Sequence, residues 1–381
     1  MCCRTRFLAL VVFVAILLLS GCRDERGVME NALSPLVIPT YDGSGQATEP
    51  SIVYFPNGWS GFKYWLVVAP YPYSNAKYEN PSVLVSDDGT DWSTPPGVSN
   101  PLEKPPLGGH LDDSTLFYDQ ASDELWLFFL EQTKSSFAIL LRTVSKDGVH
   151  WSNAESLIEA RNYELVMPTV AKSGDRYWMW SVDAGGKGCS ASSTALRYRT
   201  SSDGEHWSAP KSVNVTQSGY KVWHISVAVL PSLPFRKAGL LSQPVQQDSI
   251  FVMLASAFRD GCGHDRLFLA YSTSGVFWKT FSTPLLAPNE DGWDNSGIYQ
   301  STLVFDPASD LLRVWYSADG SSLWHIGLTQ GDFVTVLEDL IGTAPSEPPN
   351  RGIGESYLQE AFPSLSLRKP SLNKSSTILR F

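Results

Sequence analysis

Acidic side chains close to aromatic ones are the first chemical signal in this sequence. Four carboxyl groups stand at or just before runs of strand-forming residues: Glu49, Asp112, Asp113 and Glu164. Aromatic side chains offer large apolar faces, which suit the C–H face of a sugar ring. Hydrolysis of a glycosidic bond needs one carboxyl group to protonate the leaving oxygen and a second to activate water or attack the sugar. These residue types predict a site for glycans.

The elements that position these groups are indicated by a repeated phrase, Ser-x-Asp-Gly-x-x-Trp or a close variant. Its four copies begin at Ser86, Ser145, Ser201 and Ser272, at intervals of roughly sixty residues. Each copy follows strand-forming residues, and Asp-Gly between two strands is typical of a hairpin. Duplicated units of this kind stack, because none buries its own faces alone.

Counting strands from each copy gives five units of four strands. The first strands are expected to begin near Pro50, Asp113, Val166, His224 and Tyr299. Few segments show a helical apolar period. The predicted fold is all-β, a five-bladed β-propeller of four-stranded blades over residues 46–342. Residues 22–45 are predicted to be a tether, and residues 343–381, rich in Pro and Ser, a disordered tail.

The first 21 residues are predicted to be a signal peptide. Arg4 and Arg6 precede an apolar run that ends in Leu19-Ser20-Gly21-Cys22, and this ending resembles the lipobox of bacterial lipoproteins. The resemblance implies cleavage before Cys22 and acylation of Cys22. An ordinary signal peptide or a short uncleaved anchor is the alternative.

The predicted location is therefore the cell envelope, outside the cytoplasm, with the N-terminal lipid as the sole contact with the membrane. Arg23 does not match the aspartate that retains lipoproteins in the inner membrane, which favours an outer membrane if there is one. The 29 basic and 39 acidic residues give a net charge of −10, so nucleic acid is a poor partner. A monomer that binds a glycan is expected.

Cys189 and Cys262 lie in Gly-rich loops, each after an aromatic strand. If the repeat assignment holds, they occupy equivalent hairpins of adjacent units, and an oxidising compartment permits a disulfide between them. Two free buried thiols are the alternative. The spacing of neighbouring ligands does not match a zinc site.

The repeated phrase resembles the Asp box of sialidases and related propellers. It also recurs in five-bladed glycoside hydrolase-like families that include arabinanases, xylosidases, invertases and levansucrases. The resemblance covers about residues 46–340. It implies that the phrase lies between the third and fourth strands, on the face opposite the substrate, so its aspartates are left out of the predicted site.

Those families place an Asp base in the first blade, a supporting Asp in the second and a Glu acid in the third. The resemblance implies Asp112 or Asp113 as support or base, Glu49 as the alternative base and Glu164 as the acid. This chain departs from the pattern, because Glu164 precedes Pro168 by four residues instead of two. Two residues along a strand span about 7 Å, enough to spoil a proton transfer.

The resemblance also implies that substrate meets the starts of the first strands and the turns between second and third strands. The residues there are Tyr71, Tyr73, Asn80, His110, Arg161, Trp223, His224, Arg259, Trp293, Asp294, Tyr299 and Gln300. Ordinary hydrogen bonding or loop packing is the alternative for each of them. A calcium ion in the central channel is the one candidate cofactor, held by His110 or His224, or by Asp112 and Asp113.

The predicted function is recognition, and in an enzyme hydrolysis or phosphorolysis, of an extracytoplasmic glycan. The alternative is a non-catalytic envelope protein that binds glycan or protein. A sialidase is disfavoured, since only Arg161 and Arg259 could meet the substrate carboxylate. The sequence has no Gly-x-Ser-x-Gly motif of a serine hydrolase.

Overall fold

The computed structural model describes residues 26–133, 136–215, 217, 219–241, 248–259, 261 and 263–342. Cys22, Cys262 and the predicted tail at 343–381 lie outside these residues, and so do the signal-peptide residues. The lipidation of Cys22 and the pairing of Cys189 with Cys262 therefore stay predictions. No helix of the described part is long and apolar enough to cross a membrane.

The described residues form five antiparallel sheets that follow one another along the chain. Their strands are β1 Ala47–Trp59, β2 Phe62–Pro70 and β3 Ser82–Ser86 in blade 1; β4 His110–Asp119, β5 Glu124–Gln132, β6 Phe137–Ser145 and β7 Glu155–Arg161 in blade 2; β8 Val166–Ser173, β9 Arg176–Asp183, β10 Ala195–Ser201 and β11 Lys211–Ser212 in blade 3; β12 Lys221–Pro231, β13 Ser249–Phe258, β14 Arg266–Ser272 and β15 Lys279–Thr280 in blade 4; and β16 Gly297–Asp306, β17 Leu311–Gly320 and β18 Leu323–Asp332 in blade 5. The predicted five-bladed, all-β propeller is confirmed.

Helices are few in the described part. They are the α-helices α1 Leu233–Lys237 and α2 Phe333–Gly342 and the 3-10 helices Pro72–Ser74, Ala76–Tyr78 and Gly188–Ser190.

Blades 1 and 5 have three strands, so the prediction of four strands in every blade is wrong for these two. In blade 1 the fourth strand is reduced to a bridge between Val85 and Ser93. Pro95 and Pro96 follow at once, and proline cannot donate to a strand ladder. The outer edge of blade 5 is covered instead by the segment before β1.

That segment, the described part of the predicted tether, packs against the propeller. The Leu36 N–H donates to the carbonyl of Ile326 in β18 at 2.8 Å, and the Thr329 hydroxyl donates to the carbonyl of Glu30 at 2.7 Å. Met29 and Ile38 are buried. Chain from before the first blade thus lies along the last blade and helps to close the ring.

The repeated phrase has one geometry in all four copies. In the second copy Ser145 Oγ accepts the N–H of Gly148 at 2.8 Å, and Asp147 Oδ1 accepts those of Val149 and His150 at 2.8 and 2.7 Å. The first and third copies have the same bonds, and in the fourth a serine hydroxyl replaces the aspartate. Each copy follows the end of a third strand. That end lies on the same side of the sheet as the end of the first strand, so the phrase and the start of the first strand are at opposite ends of the blade.

The glycine of each copy packs on a buried tryptophan of the preceding blade. Gly148 in blade 2 lies against Trp65 of blade 1, and Gly89 in blade 1 lies against Trp315 of blade 5. The Trp315 indole N–H donates to the Gly89 carbonyl at 2.8 Å. The phrase is therefore a contact between blades, and its first copy closes the ring.

Replacing Gly148 by alanine should destabilise the protein more than replacing Gly174. Both glycines have positive φ, 73° and 63°, which costs about 1–2 kcal/mol in any L-residue. A Cβ on Gly148 would also collide with the Trp65 ring, whereas one on Gly174 meets nothing within 4 Å. Chemical denaturation should show G148A losing about 1–3 kcal/mol more than G174A. Equal losses would contradict the proposed contact between blades.

Candidate active site

The first strands of blades 1, 2 and 3 begin with the same strained bulge. Glu49, Asp113 and Met167 have φ of 57°, 53° and 47°, and the pairing with the second strand shifts register at each of them. Non-glycine residues seldom adopt this left-handed region, and such strain is often found at functional sites. The bulges place three equivalent residues around the channel.

These bulges are joined to one another across the blades. The Asp113 N–H donates to Glu49 Oε2 at 2.9 Å, and the Met167 N–H donates to Asp113 Oδ2 at 2.8 Å. Each carboxylate therefore satisfies the backbone of the next bulge. Local backbone geometry and the positions of the two acids depend on each other.

Glu49, Asp113 and His224 form an inner cluster, in which all three residues are buried. His224 Nε2 lies 3.5 Å from Asp113 Oδ1. The other ring nitrogen of His224, Nδ1, is buried and has no hydrogen-bond partner among the described residues. The inner cluster is too enclosed for direct contact with a large ligand.

Glu79, His110 and Asp112 form an outer cluster beside the inner one. His110 Nε2 lies 3.3 Å from Asp112 Oδ2 and 3.8 Å from Glu79 Oε2. The side chains of His110 and Asp112 are 25% and 18% exposed, so solutes can reach them. Within the described structure Asp112 Oδ1 has no hydrogen-bond partner. His110 and Asp112 belong to the start of β4, and Glu79 follows the second 3-10 helix.

Three carboxyl groups of the two clusters, those of Glu49, Glu79 and Asp112, have a raised pKa. Burial raises the pKa of Glu49 and Glu79 well above the usual range, and the neighbouring carboxylates add to the effect. Burial is also the main cause that raises the pKa of Asp112 to about 6, although the hydrogen bond with His110 opposes it. Burial disfavours charged His110, yet the Asp112 carboxylate outweighs this and raises the His110 pKa. Within the described chain, these carboxylates form ion pairs with histidines alone.

Such a set of groups suits a divalent cation. The three ligand atoms of each cluster lie within 4.8 Å of one another. Carboxylate oxygens and imidazole nitrogens are common ligands of divalent metal ions. The orphaned Asp112 Oδ1 and His224 Nδ1 also show that the polar groups are not all satisfied by the protein.

An aromatic wall of five residues stands beside the clusters, made of Tyr71, Trp324, Tyr299, Trp223 and Tyr163. Consecutive members are in contact, with the Tyr71–Trp324 and Trp324–Tyr299 ring centroids 5.5 and 5.1 Å apart. The Trp223 indole donates to the Tyr299 hydroxyl at 3.2 Å, and Tyr163 and Trp223 are 6.2 Å apart. Burial and then the Glu49 carboxylate raise the pKa of Tyr299.

The structure brings together many of the residues predicted from sequence. Around the two clusters lie Glu49, Asp112, Asp113, His110, His224, Tyr71, Trp223 and Tyr299. Glu164 stands apart in role, because the residue of blade 3 equivalent to Glu49 and Asp113 is Met167. The catalytic role of Glu164 stays a prediction without a contact that supports it.

Four other predicted substrate ligands are described by their burial and by their contacts within the protein. Asn80 is buried and donates to the Tyr41 hydroxyl at 2.9 Å, and Gln300 is buried. The Arg259 guanidinium lies 4.5 Å from the Tyr220 ring. Arg161 is exposed at the end of β7 in blade 2.

Trp293 and Asp294 hold the N-terminal segment. Asp294 is fully buried, and Asp294 Oδ2 accepts from the Asn31 amide at 2.6 Å and from the Tyr316 hydroxyl at 2.9 Å. The Trp293 indole donates to the Ala32 carbonyl at 2.9 Å. This corrects the predicted role of Asp294 as a substrate ligand, because a substrate cannot reach it.

Sequence reasoning assigned no role to Glu79, Tyr163 or Trp324. Glu79 lies in the turn-rich connection between β2 and β3 of blade 1. The alternating pattern of a strand therefore does not locate it in the sequence. Trp324 stands at the start of β18, directly after the turn between the second and third strands of blade 5. Its place beside this turn could have identified it as a substrate-facing residue. Tyr163 was overlooked beside Glu164, although its φ of 64° marks a constrained turn.

No family model matches the chain. A curated relative is the A type blood N-acetyl-α-D-galactosamine deacetylase of Flavonifractor plautii, 26% identical over 388 residues. The match covers 83% of this chain and 48% of that protein, so this chain spans about half the length of the relative.

Two solved structures extend the comparison. The N-acetylgalactosamine deacetylase from F. plautii, in complex with blood group B trisaccharide, has a TM-score of 0.69 and 25% identity, over 84% of this chain and 99% of that one. A family 43 β-xylosidase/α-arabinofuranosidase from a compost microbial metagenome has a TM-score of 0.52 and 12% identity, over 80% and 95% of the two chains. The latter shows a shared fold, which agrees with the predicted resemblance to glycoside hydrolase propellers.

In the absence of divalent cations, Asp112→Asn should stabilise the protein at neutral and alkaline pH. The folded-state pKa of Asp112, about 6, is higher than the about 3.9 of an unfolded aspartate. Between about pH 4 and about pH 6 the folded state therefore binds more protons than the unfolded state. The stability that protonated Asp112 contributes is lost as the pH rises through this range.

Denaturation with chelator present should give D112N a gain of about 1–2 kcal/mol at pH 8, since the partly exposed side chain is screened by solvent, and a smaller gain at pH 4.5. Asp87→Asn, at an exposed position, is the matched control and should change little at either pH. A loss of stability in D112N at pH 8 would contradict the described repulsion.

Proposed function

We propose that this protein is a metal-dependent hydrolase that removes the acetyl group from an N-acetylated sugar of a glycan. The observation that carries the proposal is the convergence of four carboxylates and two histidines in two adjoining clusters, without a lysine or arginine partner in the described residues. A glycosidase needs two opposed carboxyls, whereas this concentration of acids calls for a cation.

The outer cluster is the proposed metal centre, because it alone combines three ligands with access from solvent. Glu79, His110 and one oxygen of Asp112 would hold the ion. A bound divalent ion would polarise the amide carbonyl and lower the pKa of water at the site. The inner cluster lies behind these ligands and supports them through the backbone bond from Asp113 to Glu49.

Asp112 is the proposed base, then acid, of the reaction. Its Oδ1 has no hydrogen-bond partner among the described residues, so this oxygen could accept a proton from water while the other oxygen holds the ion. Asp112 takes a proton as the water oxygen bonds to the acetyl carbon. The same proton then passes to the sugar nitrogen as the carbon–nitrogen bond breaks. This gives a free amine and acetic acid, which loses its proton to water and becomes acetate.

The aromatic wall is the proposed surface for the sugar ring. Tyr71 and Tyr299 belong to the wall, and burial, followed by the nearby carboxylates, raises the pKa of both. A sugar stacked there would present its acetamido group to the outer cluster.

The likeness to the F. plautii deacetylase supports this choice of reaction. That relative is named as an N-acetylgalactosamine deacetylase, and the solved deacetylase structure matches 84% of the present chain. N-acetylgalactosamine at the end of a glycan is therefore the first substrate to test.

Glycoside hydrolysis is the second candidate function, favoured by the shared propeller fold. A glycosidase of this type would need an acid in the third blade, but the position equivalent to Glu49 and Asp113 is occupied by Met167. Binding of glycan without catalysis is the remaining candidate, in which the carboxyls would hold protons instead of a metal ion.

We also retain three proposals from the sequence. The chain is a lipoprotein anchored at Cys22, it acts in the cell envelope, and Cys189 pairs with Cys262. Labelling with palmitate and mass analysis of non-reduced peptides would test the first and third directly. Fractionation of the producing cells would test the second.

Incubation of the purified protein with a glycan ending in N-acetylgalactosamine should release acetate and leave every glycosidic bond intact. Chelation with EDTA should abolish the release, and His110→Ala should lower kcat/KM by about 100-fold or more, because it removes a metal ligand at the reacting centre. Acetate and glycan length are measured by coupled assay and mass spectrometry.

Two control variants separate the candidate functions. His206→Ala removes a histidine that is 87% exposed and should keep full activity. Glu164→Gln should also keep it, whereas the glycosidase account requires its loss. Shortened glycan, or acetate release that resists EDTA, would contradict the proposal.

A further inference from the structure

We propose that Tyr73 forms a second sugar subsite next to the aromatic wall, so that the natural substrate is a glycan of two or more sugars. This inference rests on the proposed function and specifies its substrate class. It assigns a role to a side chain that the metal centre and the first sugar do not use.

Tyr73 is displayed to solvent by a strained turn. It is 73% exposed, and among the described residues its ring makes no ring contact, hydrogen bond or ion pair of its own. Tyr73 and Ser74 both have left-handed backbones, with φ of 51° and 58°. Burying an aromatic ring stabilises a fold, whereas here the chain accepts strain and leaves the ring outside. Ligand binding accounts for both costs.

The turn is fixed, and it is fixed to the wall. The Trp324 indole N–H, its single donor, bonds to Ser74 Oγ at 2.8 Å. The Tyr73 N–H donates to Gln46 Oε1 at 3.0 Å. Tyr71, two residues earlier, contacts Trp324 in the wall. A rigid connection of this kind presents the Tyr73 ring with little loss of entropy on binding.

The distance suits an adjoining sugar. Tyr71 contacts Trp324, Trp324 contacts Tyr299, and the Tyr299 and His224 ring centroids are 4.2 Å apart. This series of contacts connects Tyr71 to the inner cluster. Two residues of chain reach at most about 7 Å. The Tyr73 backbone therefore lies within about 7 Å of the Tyr71 backbone, and of the two side chains only that of Tyr73 is exposed.

The chemistry of the turn indicates a neutral ligand. Residues 71–76 read Tyr-Pro-Tyr-Ser-Asn-Ala and carry no charged side chain. An aromatic face with hydroxyl and amide groups beside it matches a neutral sugar unit better than a phosphate, a sulfated sugar or a peptide with charged ends.

Binding and turnover of a trisaccharide and a monosaccharide would test this subsite. The probes are a trisaccharide ending in N-acetylgalactosamine and free N-acetylgalactosamine, each titrated calorimetrically and assayed for acetate release. Tyr73→Ala should raise Kd and KM for the trisaccharide by about three- to tenfold and leave both values for the monosaccharide unchanged. Tyr73→Trp should retain trisaccharide binding.

Phe277→Ala is the matched control, because Phe277 is similarly exposed at 71% but belongs to the repeated phrase at the opposite end of the strands. It should change neither ligand. Equal weakening of both ligands in Y73A, or no change in either, would overturn the subsite. Wild-type protein that binds the trisaccharide more tightly than the monosaccharide without releasing acetate would refute the deacetylase function and leave the subsite standing.

Discussion

Repulsion among four carboxylates is the constraint on which the site depends. Burial and then the neighbouring carboxylates raise the pKa of Glu49 and Glu79, and burial raises that of Asp112. Among the described residues only His110 and His224 lie within ion-pairing distance of the four carboxyl groups. A protein gains no stability from such an arrangement. The four carboxyl groups stay together because the surrounding propeller fixes their positions. A bound cation or shared protons must offset their repulsion.

The propeller determines it through the bulges that begin the first strands. Two of the three strained bulges, at Asp113 and Met167, donate to a carboxylate from the neighbouring blade, so Glu49 and Asp113 cannot move apart without breaking backbone contacts. Ring closure by the contact of Gly89 with Trp315 and by the N-terminal segment keeps the blades in register. Structural stability at one end of the strands thereby supports strained, charged geometry at the other end.

Sequence reasoning located the architecture and about half of the site. The repeated phrase predicts five blades because its hydrogen bonds are local and its spacing is visible in one chain. Glu49, Asp113 and His224 were found because they stand at the starts of strands. The role of Glu164 stays a prediction, and the bulge that makes Met167 the residue equivalent to Asp113 leaves no trace in the sequence. Asp294 was misplaced because its burial depends on Asn31, 263 residues away.

Titration of the purified protein with Zn²⁺, Mn²⁺ or Ca²⁺, each alone, tests the central claim most directly. The account predicts that at least one ion binds in a one-to-one ratio near pH 7 with release of protons, because the ligands must lose theirs. Affinity should fall as the pH drops below about 6, where Asp112 is protonated, and Glu79→Gln should weaken binding. Absence of binding by all three ions between pH 6 and 8 would contradict the account and leave a cluster held together by protons.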